Sequence, residues 1–159
     1  MKLQLLLEED PKLNRECTPV TSITKNTLKL AFYMHKYMKD WNGIGLSAPQ
    51  VDRPIQLFVV GTKDNPRLTV INPRLLSYSE CASKIEGCLS FPEKFKYRYR
   101  PKVITLQYTN EKNETLTREF TGLTAQVIIH EMFHLKGITL FNKDIDNLDI
   151  LLYTDNNSG

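Results

Sequence analysis

The stretch Ile129 to Gly137 reads I-H-E-M-F-H-L-K-G. His130 and His134 are four residues apart, so on a helix they project from one face within reach of a single metal ion. Glu131 stands beside the first of them. A carboxylate there can take a proton from water bound to that ion, which is the physical content of H-E-x-x-H in metal-dependent hydrolases. Two imidazoles leave a tetrahedral ion short of ligands, so the rest of the chain must supply at least one more. Cys88 is the best candidate. It lies in E-G-C-L-S-F-P, Glu86 to Pro92, and of Cys17, Cys81 and Cys88 it alone sits between a glycine and a proline in a loop constrained enough to present a thiolate. An adjacent dication would hold that thiol deprotonated. Cys17 and Cys81 read as incidental thiols. A Cys-His-His set with water in the fourth position is an open, catalytic arrangement, whereas a structural site fills all four positions from protein. The competing reading of the nine residues alone is an amphipathic helix with chance histidines.

The elements that must position these groups follow from periodicity. From about Thr24 to Asp40 the residues Leu28, Ala31, Phe32, Met38 and Trp41 recur at helical spacing, with Lys25, Lys29, Lys36 and Lys39 exposed. His35 on this helix reads as a surface or packed structural histidine. The pattern stops at Asn42-Gly43, and G-I-G-L-S-A-P-Q follows to Gln50, its two glycines letting another backbone come close. Ile55 to Val60 and Leu68 to Ile71 are runs of β-formers around the turn G-T-K-D-N-P, and Asn72-Pro73 is expected to end the second. Leu75 to Tyr78 reads as a further short strand. Val103 to Thr109 and Thr115 to Phe120 alternate and form a hairpin across N-E-K-N-E. Gly122 opens a second helix, with Leu123, Val127, His130 and His134 on one face, and Gly137 caps its end after Lys136. Ile138 to Phe141 is expected as a final strand. Residues 1 to 20 read as an extended arm and loop, and the tail turns polar from Thr154.

At 159 residues the chain is expected to be a single domain, 1–159, able to bury roughly two thirds of its unfolded surface. Its 41% hydrophobic and 25% charged residues are ordinary globular values and exclude a disordered or membrane-embedded class. Its 21 basic and 18 acidic residues are spread along the chain and make no nucleic-acid stripe. The opening M-K-L-Q-L-L-L is too brief an apolar run for a signal peptide, and three cysteines without framework spacing suit a reducing cytoplasm.

In order, G-I-G-L-S-A-P-Q, E-G-C-L-S and H-E-M-F-H-L-K-G closely resemble the motifs of peptide deformylases, which remove the formyl group from the N-terminal methionine of new bacterial and organellar proteins. The resemblance runs from D-P-K-L near residue 10, through Asn72-Pro73, to G-I-T-L-F after the second helix. The expected fold is α+β, with antiparallel and mixed strands wrapped around a central helix carrying H-E-x-x-H and an additional N-terminal helix. The resemblance implies a metal held by Cys88, His130 and His134 with water as the fourth ligand. Glu131 would accept the water's proton and pass it to the leaving amine. The side-chain amide of Gln50 and the backbone N–H of Leu89 would stabilise the oxyanion. The nascent peptide would lie extended beside Gly43, Ile44 and Gly45, and its methionine side chain would enter an apolar pocket faced by Leu123 and Val127. Glu86 joins this substrate-binding set as a hydrogen-bonding support or a solvated loop acid. Thiolate and imidazole suit zinc, iron, nickel or cobalt alike. The resemblance implies ferrous iron as the active metal, with the other three as alternatives in isolated protein. It also implies N-formylmethionyl nascent peptides as partners, a cytoplasmic monomer, and no membrane or specific nucleic acid.

Three residues depart from the pattern. Most members of the family have alanine where Ser47 stands, glutamine where Ile129 stands and aspartate where Phe133 stands. An aspartate there could pair with a basic residue such as Arg100. Phe133 is expected to point into the core and replace that ion pair by packing, which is often close to neutral in energy. After Phe141 many bacterial members continue with a substantial C-terminal helix, thought to help ribosome docking. Here 18 residues follow, 142–159. Such a short tail resembles the forms carried by bacteriophages, which would act in the host cytoplasm, or found in organelles, and it leaves ribosome contact open. A metalloprotease built on the same helix would need a Glu or His ligand beyond it, and the sequence after Gly137 offers Asp144, Asp146 and Asp149 but no histidine. A catalytically silent peptide-binding relative is the other alternative. Intact Gln50, Cys88, Glu131 and both histidines speak against it.

Overall fold

Helix α1, Lys25–Asp40, begins where Thr24 and Thr27 cap each other's backbone N–H groups. It buries Leu30, Ala31, Met34 and Met38, a stripe repeating every four residues. Ala31 and Met38 of the stripe expected from the sequence are buried, but Leu30 and Met34 take the places expected for Leu28 and Phe32. Leu28 and Phe32 are exposed. Both stripes have helical spacing, and the sheet beneath α1 selects between them, which local periodicity does not encode. His35 is packed as a structural histidine, with Nε2 2.8 Å from the Thr69 hydroxyl.

The computed structural model describes residues 1–154; the polar end of the tail, 155–159, and that part of the expected domain lie outside the described residues. In chain order after α1 come β1 (Gly45–Ser47), β2 (Leu57–Val60), β3 (Leu68–Tyr78), β4 (Cys81–Cys88), β5 (Phe91–Pro101), β6 (Val103–Thr109), β7 (Thr115–Thr121) and helix α2 (Gly122–Leu135). Among the described residues, β1, β2, β3, β6 and β7 form one antiparallel sheet in that order, and β4 with β5 forms a separate antiparallel ribbon. The run L-F-V-V of β2 is buried throughout because each face carries a helix. Phe58 and Val60 belong to the core around α2, and Leu57 and Val59 to the core around α1. The α+β architecture expected from the sequence, strands around the helix that carries the two histidines, is the one observed. The β6–β7 hairpin also stands where alternation placed it, and Gly137, at φ +74°, follows the end of α2.

Three expectations are corrected. Asn72-Pro73 does not end a strand: β3 runs through it with a register shift between Ile71 and Arg74 and absorbs the separate strand expected at Leu75 to Tyr78. Asn72 sits at φ 50° and its side-chain amide bonds both the N–H and the carbonyl of Val20, so the pair makes a bulge that continues the sheet. Cys88 is not in a loop but ends β4, with two residues between it and the start of β5. The sequence pattern hides that hairpin because β5 alternates with its charges, Arg98 and Arg100, on the buried side. Ile138 to Phe141 is not a strand. Its Leu140 carbonyl is met by Arg98, from Nε at 3.0 Å and also from Nη2, in place of a ladder partner. The chain then returns to the sheet, where Tyr153 N–H donates to the Leu75 carbonyl at 2.8 Å and Ile145, Leu148 and Leu151 enter the core around α2.

Burial, reinforced by the charge of Arg67 and opposed by Glu111, pushes the His35 pKa down to about 4. The folded value lies below the ordinary one of about 6.5, so the folded state takes up its proton later than the unfolded chain. Its contribution is complete above about pH 6.5 and is lost as pH falls toward 4. Urea unfolding at pH 7 and pH 4.5 should show His35→Gln losing less stability on acidification than the parent, by about 1–2 kcal/mol after allowing for solvent around the half-buried ring. Equal losses would show that His35 is not what titrates.

Candidate metal centre

Helix α2 is buried from Ala125 to Leu135 apart from Gln126, so its polar residues lie inside the protein. His130, Glu131 and His134 are only 6%, 3% and 1% exposed. Buried ionisable groups are costly without partners or a metal. The two Nε2 atoms lie 3.2 Å apart, and the Cys88 Sγ is 3.3 Å from Nε2 of His134. The ligand atoms of Cys88, His130 and His134 all fall within 4.8 Å of one another. A tetrahedral ion with one metal–sulfur bond of about 2.3 Å and nitrogen bonds of about 2.0–2.1 Å would hold its donors roughly 3.3–3.6 Å apart. The donor set therefore fits a divalent ion in both type and spacing. Glu131 Oε1 and His134 Nδ1 are buried without a hydrogen-bond partner among the described residues. The electrostatics of the pair are lopsided. Burial opposes a charge on His130, but the Cys88 and Glu131 charges and the bond from Glu86 outweigh it and raise its pKa. Burial and the neighbouring charge on His130 lower that of His134, and burial pushes the Glu131 carboxyl up to about 7.

Glu86, expected as a hydrogen-bonding support or a solvated loop acid, is the support, and it also borders the cleft described below. Its Oε1 is 2.8 Å from Nδ1 of His130, and both its oxygens accept from Arg100, Nε and Nη2, at 2.9 Å. Gln126 adds a longer bond of 3.4 Å. Burial would raise the Glu86 pKa, yet His130 and Arg100 hold it down at about 2. Arg100 is buried too, and its Nη1 donates to the carbonyls of Tyr99 and Ile145 at 2.9 and 3.0 Å. Asp146 lies 3.5 Å from the same nitrogen. Phe133 is fully buried, as expected, with its ring centroid 5.4 Å from the guanidinium carbon. Arg100 is thus satisfied without a carboxylate at position 133.

Gln50 sits on a short 3₁₀ turn, Ala48–Val51, directly after β1. Its Oε1 accepts from both the backbone N–H and the hydroxyl of Ser47, each at 3.0 Å. A backbone N–H requires an acceptor, so the amide oxygen is fixed on that side and the NH₂ turns toward Ser90 Oγ at 3.0 Å and Cys88 Sγ at 3.6 Å. Ser47, one of the departures from the family pattern, thereby adds a donor that orients Gln50. The sequence reading missed Ser90, although it lies inside the E-G-C-L-S motif. Gly45 is required by the chain's own side chains: a Cβ there would lie 2.5 Å from Glu131 Oε2 and 2.6 Å from Val127 Cγ1. Apart from His134, behind the others, every residue singled out from the sequence for the site borders one cleft of about 460 Å³. Val127 is buried in its wall, and Leu123 stands exposed at its mouth.

Residues 2–149 match the family model of polypeptide deformylase. A peptide deformylase of Thermotoga maritima is 37% identical over 135 residues, covering 84% of this chain and 82% of that protein. The crystal structure of the peptide deformylase from that organism superposes with a TM-score of 0.84 at 32% identity, over 97% of this chain and 99% of that one. A peptide deformylase from Synechococcus elongatus in complex with actinonin gives 0.83 at 30% identity, over 97% and 88%. A class I type b peptide deformylase from Acinetobacter baumannii with Met-Ala-Ser bound gives 0.81 at 27%, over 87% and 96%.

A carboxylate bonded to the far nitrogen of a ligating histidine fixes its tautomer and ring orientation. Glu86→Gln keeps the shape and removes the charge. Competition against a chromophoric chelator should show zinc affinity reduced about 10–100-fold. Unchanged affinity would make the contact incidental to metal binding.

Proposed function

The chain belongs to the polypeptide deformylase family, and from that premise we propose how its own residues carry the reaction. The reaction is hydrolysis of the formyl amide on the N-terminal methionine of newly made polypeptides, which releases formate. The observation that carries the assignment of roles is the convergence of Cys88, His130 and His134 beside Glu131 at one end of a cleft.

Cys88, His130 and His134 hold the divalent ion, and Glu86 orients His130 from behind. When bound, such an ion supplies Lewis acidity and brings the pKa of water from about 15.7 toward about 7. Glu131, with a buried and unpartnered Oε1, takes the proton of the attacking water and delivers it to the methionine nitrogen as the C–N bond breaks. The turned NH₂ of Gln50 and the backbone N–H of Leu89 donate to the oxyanion that develops on the formyl oxygen as water attacks the formyl carbon. Ser47 and Ser90 hold that amide in place.

The substrate lies as an added strand. Among the described residues the strand pairing of β1 is with β2 alone and that of β4 with β5 alone, Gln126 Nε2 donating to the Ile85 carbonyl of β4 at 2.9 Å, and residues from both strands border the cleft. An extended peptide between them bonds to Gly43, Ile44 and Gly45 on one side and to the end of β4 on the other. The Met-Ala-Ser peptide on the Acinetobacter baumannii relative supports this reading, since it is what a deformylase leaves behind. Burying the methionine side chain against Val127 and Leu123 contributes roughly 1.5–3 kcal/mol, enough to favour methionine but not to exclude its near relatives. We further take ferrous iron as the working metal, zinc, nickel or cobalt as substitutes in isolated protein, the chain as one catalytic domain and a monomer, and the cytoplasm as its place. Ribosome contact is left open.

Iron-loaded protein kept anaerobic should release formate from formyl-Met-Ala-Ser, and Glu131→Ala should not. Gln50→Ala should lower kcat about 10²–10³-fold with little change in KM, because its donor acts on charge present only in the transition state. Equal turnover by Gln50→Ala and the parent would remove the oxyanion role.

A further inference from the structure

Strand β5 alternates in an inverted sense. In F-K-Y-R-Y-R, Phe95 to Arg100, the charged residues Arg98 and Arg100 turn inward, to the Leu140 carbonyl and to Glu86, while Phe95, Tyr97 and Tyr99 turn outward. Their cross-strand partners on β4 are Gly87, Ile85 and Ser83. Phe95, Tyr97, Tyr99 and Ile85 are each more than half exposed. A half-buried strand ordinarily places its aromatics in the core, so an exposed aromatic row over inward arginines is the informative case. The row is continuous with the cleft. Ile85 and Phe95 border it, and the Phe95 ring lies across Gly87, where a Cβ would come within 2.8 Å of the ring. Tyr97 and Tyr99 lie beyond the cleft, further from Cys88.

We propose that this outward face of the β4–β5 ribbon binds the part of the substrate chain downstream of its third residue and prefers apolar and aromatic side chains there. The inference rests on the added-strand reading above. A substrate with its N-terminus at Cys88 runs antiparallel to β4, toward Ser83. At about 3.3 Å per residue, three residues cover roughly 10 Å and stay within the cleft. Later residues reach the row formed by Ile85, Tyr97 and Tyr99. A nascent chain always has such residues, which gives this apolar face an occupant during turnover without a second protein.

The test uses the metal-loaded enzyme and formyl-Met-Ala-Ser, formyl-Met-Ala-Ser-Leu-Phe-Leu and formyl-Met-Ala-Ser-Ser-Ser-Ser. The parent should show a KM for the apolar hexapeptide at least about fivefold below that for the other two, with kcat within about twofold, an effect the size expected for one or two side chains partly buried. Tyr97→Ser/Tyr99→Ser should lose that preference and hydrolyse the tripeptide at the parent's kcat/KM. The tripeptide rate also reports that the variant is folded. Equal KM values in the parent, or a preference retained in the variant, would overturn the proposal, as would light scattering that finds a dimer broken by the double substitution. Hydrolysis of none of the three peptides would instead overturn the deformylase reading on which it stands.

Discussion

One buried carboxylate joins the two halves of the site. Glu86 on β4 reaches His130 on α2 with one oxygen and spends both oxygens on Arg100 of β5. Cys88 belongs to the ribbon and the histidines to the helix, so nothing in either element alone sets the distance between thiolate and imidazoles. The Arg100–Glu86–His130 chain of charge-assisted bonds does so among buried residues, where a missing member would leave a buried charge uncompensated. The same bonds explain why arginines face inward on β5.

That arrangement also accounts for Phe133. An aspartate between Glu131 and His134 would add a third carboxylate to a small buried region. Here the guanidinium is already met by Glu86 and by two backbone carbonyls, and Phe133 closes the core beside it. Asp146 approaches the same nitrogen from the segment after α2 and also accepts the Tyr99 N–H, which ties that segment to β5. Packing on one side of Arg100 and a carboxylate on another together satisfy it. The departure from the family pattern therefore leaves the metal ligands undisturbed.

What was legible in the sequence was what short spacing determines. Two histidines one helical turn apart, a glutamate between them and a cysteine beside a glycine can be read without knowing the fold, and so can the β6–β7 hairpin with its regular alternation. The residues that act through distant partners could not be read this way. Glu86 is more than 40 positions from His130, and a loop acid and a positioning acid have the same sequence. Ser90 becomes meaningful only once Gln50, 40 residues earlier, is seen to bond it. The inward face of α1 is only partly legible, since two overlapping stripes share Ala31 and Met38 and the sheet chooses between them. The glycines of the first motif were read as room for a substrate, whereas Gly45 also makes room for Glu131 and Val127. The β4–β5 ribbon was hidden by its inverted polarity, a pattern that makes sense only when the arginines' partners are known.

The central claim is that the two histidines of α2 and Cys88 close on one metal ion. X-ray absorption on the zinc-loaded protein tests it most directly. One sulfur at about 2.3 Å and two imidazole nitrogens at about 2.0–2.1 Å are predicted, with the sulfur lost in Cys88→Ser. A zinc shell without sulfur in the parent, or a sulfur retained in Cys88→Ser, would contradict the account.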